Sequence, residues 1–256
     1  MRPPVFLADG AELARDTVVL AGAEGRHATT VRRLSAGERA DLTDGAGTVA
    51  ECVVKSARPG VLELTVLARH TQPAPSPRVV VVQAIPKGDR GELAVETMTE
   101  VGVDVVVPWS AERCVVRWRG DRADKGVARW RSTALAAAKQ SRRSWFPEVT
   151  AGAGTAAVAE LVQAAALALL LDPDAPQPLA SIVTCAARDV GSGRDGDGAR
   201  DIVLVVGPEG GISEREAALL AQAGAVGARL GLTVLRASSA GAVAAALVMS
   251  SSGRWA

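Results

Sequence analysis

The alternating prolines of Gln72-Pro73-Ala74-Pro75-Ser76-Pro77 divide the chain into two stretches with different hydrophobic rhythms. Proline fixes φ and has no N–H to donate, so this segment opposes both helix and sheet and reads as a stiff, extended linker. Before it, short strand-like runs recur at Thr17–Leu20, Glu38–Thr43, Gly47–Val54 and Val61–Leu67, punctuated by Asp44-Gly45 and Pro59-Gly60. That pattern suits a small β-barrel, with a helical turn or more around His27–Leu34. After the linker the runs become continuously apolar: Val79–Val82, Val105–Val107, Leu167–Leu171 and Ile202–Val206, with a helical segment at Glu92–Val101 between the first two. Alternation of this kind predicts a parallel sheet covered on both faces by helices. The expected organisation is therefore a barrel over 1–71, a linker over 72–77 and an α/β domain over 78–256.

With 256 residues and 48% hydrophobic content the chain has ample material for buried cores. Its net charge of +1 hides a local excess, because Arg113, Arg117, Arg119, Arg122, Lys125, Arg129, Arg131, Lys139, Arg142 and Arg143 crowd one region. Global neutrality does not exclude a local anionic partner. Cys52, Cys114 and Cys185 are isolated, and only His27 and His70 accompany them, so no zinc spacing exists and a reduced cytoplasm without a metal is expected. Met1-Arg2-Pro3-Pro4 does not start a signal peptide, and the apolar run Ala240–Met249 is too short to span a bilayer, so a soluble protein is expected. Arg188–Asp201, rich in Gly, Asp and Arg, reads as a mobile surface loop.

The strand-like run ending at Val206 leads into Gly207-Pro208-Glu209-Gly210-Gly211, and Ser213 with Glu216 three residues later forms a capping-box pattern that starts a helix. Between strand and helix lies a loop whose small residues let a ligand approach the backbone and permit φ > 0, while Pro208 stiffens the turn. It is not a phosphate loop, since the Lys-Ser/Thr ending and the dinucleotide-binding spacing are both absent. By itself the segment reads as only a tight strand-to-helix turn, which two or three glycines alone favour.

The second half of the pattern lies downstream. Leu230-Gly231 and Leu235-Arg236 lead into an Ala-rich helix; together with Gly-Pro-Glu-Gly-Gly-Ile-Ser, they resemble the SPOUT methyltransferases, and most closely the bacterial 16S rRNA uracil-N3 methyltransferases. The resemblance covers nearly the whole chain: Arg26–Leu34 with Gly37-Glu38, Ile85–Arg90, Glu100–Val103, Pro108 with Glu112-Arg113, and Gln140–Arg143 with Pro147 follow in the family's order and spacing. Two departures stand out, Ser238-Ser239 where Glu-Thr is common and Thr97 where lysine is common.

The resemblance implies a PUA-like barrel joined to an α/β domain with a deep trefoil knot that binds S-adenosylmethionine. It implies that three segments close around the cofactor: Leu171-Asp172, Val206 with Gly207, Pro208, Glu209, Gly210 and Gly211, and Leu230-Gly231 with Leu235, Arg236 and Ala237. It also implies a homodimer through the knotted domain, for which the Ala240–Met249 helix is a candidate surface; a buried helix within one chain is the alternative. Arg236 is the leading catalytic candidate, its guanidinium suited to orient uracil carbonyls and stabilise charge growing on the ring. Glu209 is a candidate base, or equally a cap for backbone donors. Candidate RNA contacts are Arg26, His27, Arg32 and Arg33 on the barrel and Lys87, Arg90, Arg113, Arg142 and Arg143 beyond it. Trp118, Trp130 and Trp145 are candidates for stacking on bases or for packing. A ribose 2′-O-methyltransferase and a non-catalytic RNA-binding protein of ribosome assembly are the competing functions.

Overall fold

A computed structural model describes residues 3–190 and 201–255. Their contacts divide them into two units, one from Met1–Ala74 with Ala138–Phe146 and one from Pro75–Ala137 with Pro147–Ala256.

The first unit is a five-stranded sheet in the order β1-β3-β4-β5-β2, formed by β1 (Val5–Leu7), β2 (Thr17–Leu20), β3 (Arg39–Thr43), β4 (Thr48–Arg58) and β5 (Val61–Thr71). Only β1 and β3 are parallel. The expected barrel takes the form of a half-barrel sheet, bent where β4 and β5 slip register at Glu51/Cys52 and Val54/Ser56. Alternation along the strands buries Phe6, Val18, Leu20, Leu42, Cys52, Leu62 and Leu64 in one core. Helix α1 (Gly10–Leu13) and helix α2 (Gly22–Arg26) close it, and α2 runs on into a π-helical turn at His27–Val31. Gly25 lets α2 approach the β4–β5 turn so closely that a Cβ there would stand 2.3 Å from the Gly60 carbonyl oxygen.

Ala138–Phe146 returns to this unit because its side chains are anchored there. The Lys139 ammonium pairs with both Glu24 oxygens at 2.6 and 2.8 Å, and the Arg142 guanidinium pairs with the nearly buried Asp41 and donates to the Pro3 carbonyl. Arg142 holds a left-handed backbone (φ 61°) to do so.

The second unit is a six-stranded, wholly parallel sheet in the order β11-β9-β10-β6-β7-β8. Its strands are β6 (Val79–Ala84), β7 (Val105–Trp109), β8 (Glu148–Val149), β9 (Leu167–Leu171), β10 (Ile202–Val206) and β11 (Val226–Ala228). All of β6 and β7 is buried, as a parallel sheet covered on both faces requires. On one face α3 (Arg90–Val101), α6 (Leu179–Val190) and α8 (Ala237–Ser251) pack over Val79, Val81, Leu169 and Leu204. On the other, α5 (Thr155–Ala164) and α7 (Glu214–Gln222) pack over Val80, Val82, Leu170 and Val205. α4 (Asp121–Gln140) follows β7 in the chain.

The Ala240–Met249 stretch is mostly interior. Its small residues bring α8 down on the sheet, and a Cβ on Gly241 would stand 2.8 Å from Met98 Sδ and 3.2 Å from a Val81 methyl. Trp118 and Trp130 are packed edge to face at 5.2 Å, with Trp130 fully buried, so packing rather than base stacking accounts for them. Trp145 donates from Nε1 to the Gln72 carbonyl. The Arg188–Asp201 stretch differs from its expectation at its start, where α6 runs to Val190; residues 191–200 lie outside the described residues.

Candidate functional site

A cavity of 630 Å³ opens at the carboxyl ends of β9, β10 and β11, where an open parallel sheet places its ligands. Three loops wall it: Asp172–Asp174 after β9, Gly207–Ile212 after β10, and Leu230–Arg236 before α8. The lining includes Leu171, Asp172, Val206, Gly207, Pro208, Glu209, Gly211, Leu230, Gly231, Leu235, Arg236 and Ala237. Gly210, also expected there, instead faces Arg113, whose carbonyl oxygen would be 3.2 Å from a Cβ at that position.

The glycines of the loop have different physical reasons. Gly211 has φ 76°, which a side chain disfavours. A Cβ on Gly207 would stand 2.6 Å from the Ile212 side chain, so the loop's own hydrophobic residue enforces glycine there. The loop ends at Ser213, whose hydroxyl caps α7 in a complete capping box with Glu216.

Glu209 is tied to the strand β6 exit. Its Oε1 lies 3.4 Å from the Lys87 backbone N–H and 3.5 Å from Arg90 Nη1. Arg113 sends Nη1 toward the carbonyls of Gly210 and Ile212 at 3.4 and 3.5 Å. Arg90 and Arg113, read from sequence as RNA contacts, thus line the cavity beside the glycine loop. Arg236 stands at the N-cap of α8, is exposed, and makes no side-chain capping bond. Around it the loop exposes apolar surface, with Leu232 96%, Val234 79% and Leu235 37% exposed.

The remaining expected RNA contacts separate into two kinds. Arg26, Arg32 and Arg33 are exposed on α2 and the turn that follows it. Arg142 is a correction: its guanidinium is held by Asp41 and the Pro3 carbonyl and is a fastening of the first unit rather than a free cation. Arg143 donates from Nε to the Trp145 carbonyl at 2.8 Å, and His27 is half-buried edge to face with Phe6 at 5.7 Å. Lys87 is exposed beside Glu209.

Sequence reasoning missed Thr233, Ser238 and Ala240, which line the cavity from the last loop and the first turn of α8. Ser238 is buried there, and its position two residues after Arg236 in a helix start was the available signal. Among the described residues no group of three His, Cys, Asp or Glu side chains could hold a metal ion, and no helix is long and apolar enough to cross a membrane.

The parallel sheet, the cavity at its carboxyl edge and the separate half-barrel define a class, the RNA methyltransferases. A family model described as an RNA methyltransferase domain matches residues 72–249, and one described as an RNA methyltransferase PUA domain matches residues 20–67. Ribosomal RNA small subunit methyltransferase E of Mycobacterium tuberculosis is 46% identical over 241 residues, 93% of this chain and 87% of that protein. The Bacillus subtilis protein of the same name is 26% identical, over 88% of this chain and 86% of its own length. A crystal structure of ribosomal RNA small subunit methyltransferase E from Neisseria gonorrhoeae, bound to S-adenosyl methionine, superposes with a TM-score of 0.78 at 28% identity, covering 97% of this chain and 98% of that one. The chain belongs to the ribosomal RNA small subunit methyltransferase E family.

Proposed function

We propose that the chain transfers a methyl group from S-adenosyl-L-methionine to N3 of a uridine in 16S rRNA during small ribosomal subunit maturation. One observation carries this reading: a cavity of 630 Å³ closed by the glycine loop and the Leu230–Arg236 loop, with an exposed arginine on its wall.

The residues present fit the cofactor. Cavities of this size hold ligands of its class, on the order of 300–1,000 Å³. Leu170, Leu171, Val206, Ala228 and Leu235 offer apolar lining for an adenine, and Asp172, Asp174 and Glu209 add carboxylates compatible with a cationic donor. Bound there, S-adenosylmethionine supplies a methyl carbon activated by its sulfonium. The protein's task is then to place a uracil N3 in line with that carbon and to favour loss of the N3 proton. Arg236 performs the second part, its guanidinium meeting the uracil carbonyls and stabilising negative charge on the ring. Glu209 remains a candidate proton acceptor, but its contacts with Lys87 N–H and Arg90 favour a tether that holds the glycine loop to the β6 exit.

We assign RNA phosphate contacts to Arg26, Arg32 and Arg33 of a PUA-like domain over 1–71, joined by a linker over 72–77 to a methyltransferase domain over 78–256 that lends Ala138–Phe146 to the first unit. A deep trefoil knot in the methyltransferase domain is part of this reading, and three loops meeting at one cavity support it. A homodimer is favoured by the exposed Leu232 and Val234, apolar surface at the rim of the cavity that a second copy would cover. A ribosomal substrate and three free cysteines favour the cytoplasm.

Equilibrium binding of labelled S-adenosylmethionine tests the reading. One saturable site per chain, competed by S-adenosylhomocysteine, is expected; absence of binding to folded protein overturns it.

A further inference from the structure

Beneath the glycine loop, Glu216 is 2% exposed and has no cationic partner among the described residues. Its carboxylate is satisfied by four donors instead. Oε1 accepts from the Glu112 backbone N–H at 2.9 Å and from the Thr155 hydroxyl at 2.8 Å. Oε2 accepts from the backbone N–H and the hydroxyl of Ser213 at 3.3 and 3.1 Å. The Thr155 oxygen in turn accepts from Nε1 of the fully buried Trp109 at 3.2 Å.

Half of these bonds stay within the cap of α7, the one from the Ser213 N–H completing its capping box, and a helix cap needs no more. The other half reach residues 104 and 61 positions away and join three segments: the exit of β7, the start of α5 and the start of α7. The first of these segments continues directly into Arg113. The Arg113 backbone lies under Gly210, and its guanidinium reaches the Gly210 and Ile212 carbonyls. A shift of the Glu112 peptide would therefore move the support of the cavity wall.

We infer that Glu216 is a positioning residue for the cavity: its buried carboxylate fastens Glu112-Arg113 and Thr155 to α7, and so fixes Gly210–Ile212 in the shape that receives the cofactor. The inference rests on the cavity's being the S-adenosylmethionine site. A carboxylate suits the place because it only accepts, whereas a glutamine in either orientation turns its NH2 toward a backbone N–H of Ser213 or Glu112. One backbone donor loses its partner in each case.

Hydrogen exchange on the ligand-free protein and titration with S-adenosylmethionine test this in Glu216→Gln and in Thr155→Val, which keeps the capping box. We expect faster exchange in peptides covering Glu112-Arg113 and Gly210–Ile212. The cofactor Kd should rise by about tenfold. With the ligand saturating, kcat should stay within about threefold of the parent. Glu214→Gln, an exposed acid in the same helical turn, should match the parent throughout. A general loss of stability would instead lower Tm and quicken exchange everywhere. Unchanged exchange in the two segments, or local loosening with an unchanged Kd, overturns the inference, and Thr155→Val decides if the glutamine variant does not fold. If the parent itself binds no S-adenosylmethionine while the variants loosen locally, the cofactor assignment falls and the fastening stands.

Discussion

Arg90 Nη1 lies 3.5 Å from Glu209 Oε1, joining the first residue of α3 to the middle of the glycine loop. The Lys87 N–H meets the same oxygen at 3.4 Å. Both contacts are long and partly exposed, so the pair is worth about 1 kcal/mol or less and serves to shape the loop.

Glu209→Gln accordingly should weaken cofactor binding by a fewfold, about 1 kcal/mol or less, and leave the pH–rate profile of methyl transfer in place. The profile is the check: loss of its acid limb would make Glu209 the proton acceptor.

Arg236→Ala should lower single-turnover methyl transfer by about 100-fold or more, the scale for removing one charge-stabilising group. Because the side chain is exposed and makes no cap, Tm should stay near the parent's. Near-normal transfer would remove Arg236 from the chemistry.

Arg254→Ala should destabilise the second unit by about 3 kcal/mol, the cost of breaking a buried ion pair from one side. Arg254 closes on Asp104 at 2.8 and 3.2 Å and also donates to the Pro77 carbonyl, while Asp104 accepts from Val79 N–H. Denaturant unfolding measures the change, and activity at low temperature should persist because these residues lie away from the cavity lining.

Thiol chemistry separates the cysteines. Burial pushes the Cys52 thiol up from 9.0 to about 11, and Cys114 is raised by the same cause, whereas Cys185 is exposed. One thiol, Cys185, should react quickly with an aromatic disulfide at pH 8, and the others only on unfolding. Since the folded form of Cys52 holds its proton more tightly than the unfolded chain, its contribution is full below pH 9.0 and is lost as pH rises through about 11. Alkaline unfolding curves of Cys52→Ala should be flatter over that window.

What was legible in the sequence was local. The Ser213 and Glu216 capping box, the glycine loop and the buried runs of β6, β7, β9 and β10 depend on neighbours within a few residues, and spacing reveals them. Three-residue β1 and four-residue α1 are too short to show a period. Arg142 read as a free cation because its partner Asp41 is 101 residues distant, and basic residues adjacent in sequence do not announce an ion pair. Arg113 looked like one more member of that basic run, yet the β7 exit carries it under Gly210. The double duty of Glu216 was hidden likewise: its cap is visible at a spacing of three, its bonds to Thr155 and Glu112 only in three dimensions.

The central claim is tested most directly by incubating the protein with labelled S-adenosylmethionine and unmodified small ribosomal subunits, then mapping the modified nucleoside by mass spectrometry. The account predicts label in 16S rRNA as N3-methyluridine. Label on a ribose 2′-oxygen, or cofactor binding without transfer to intact subunits, would contradict it.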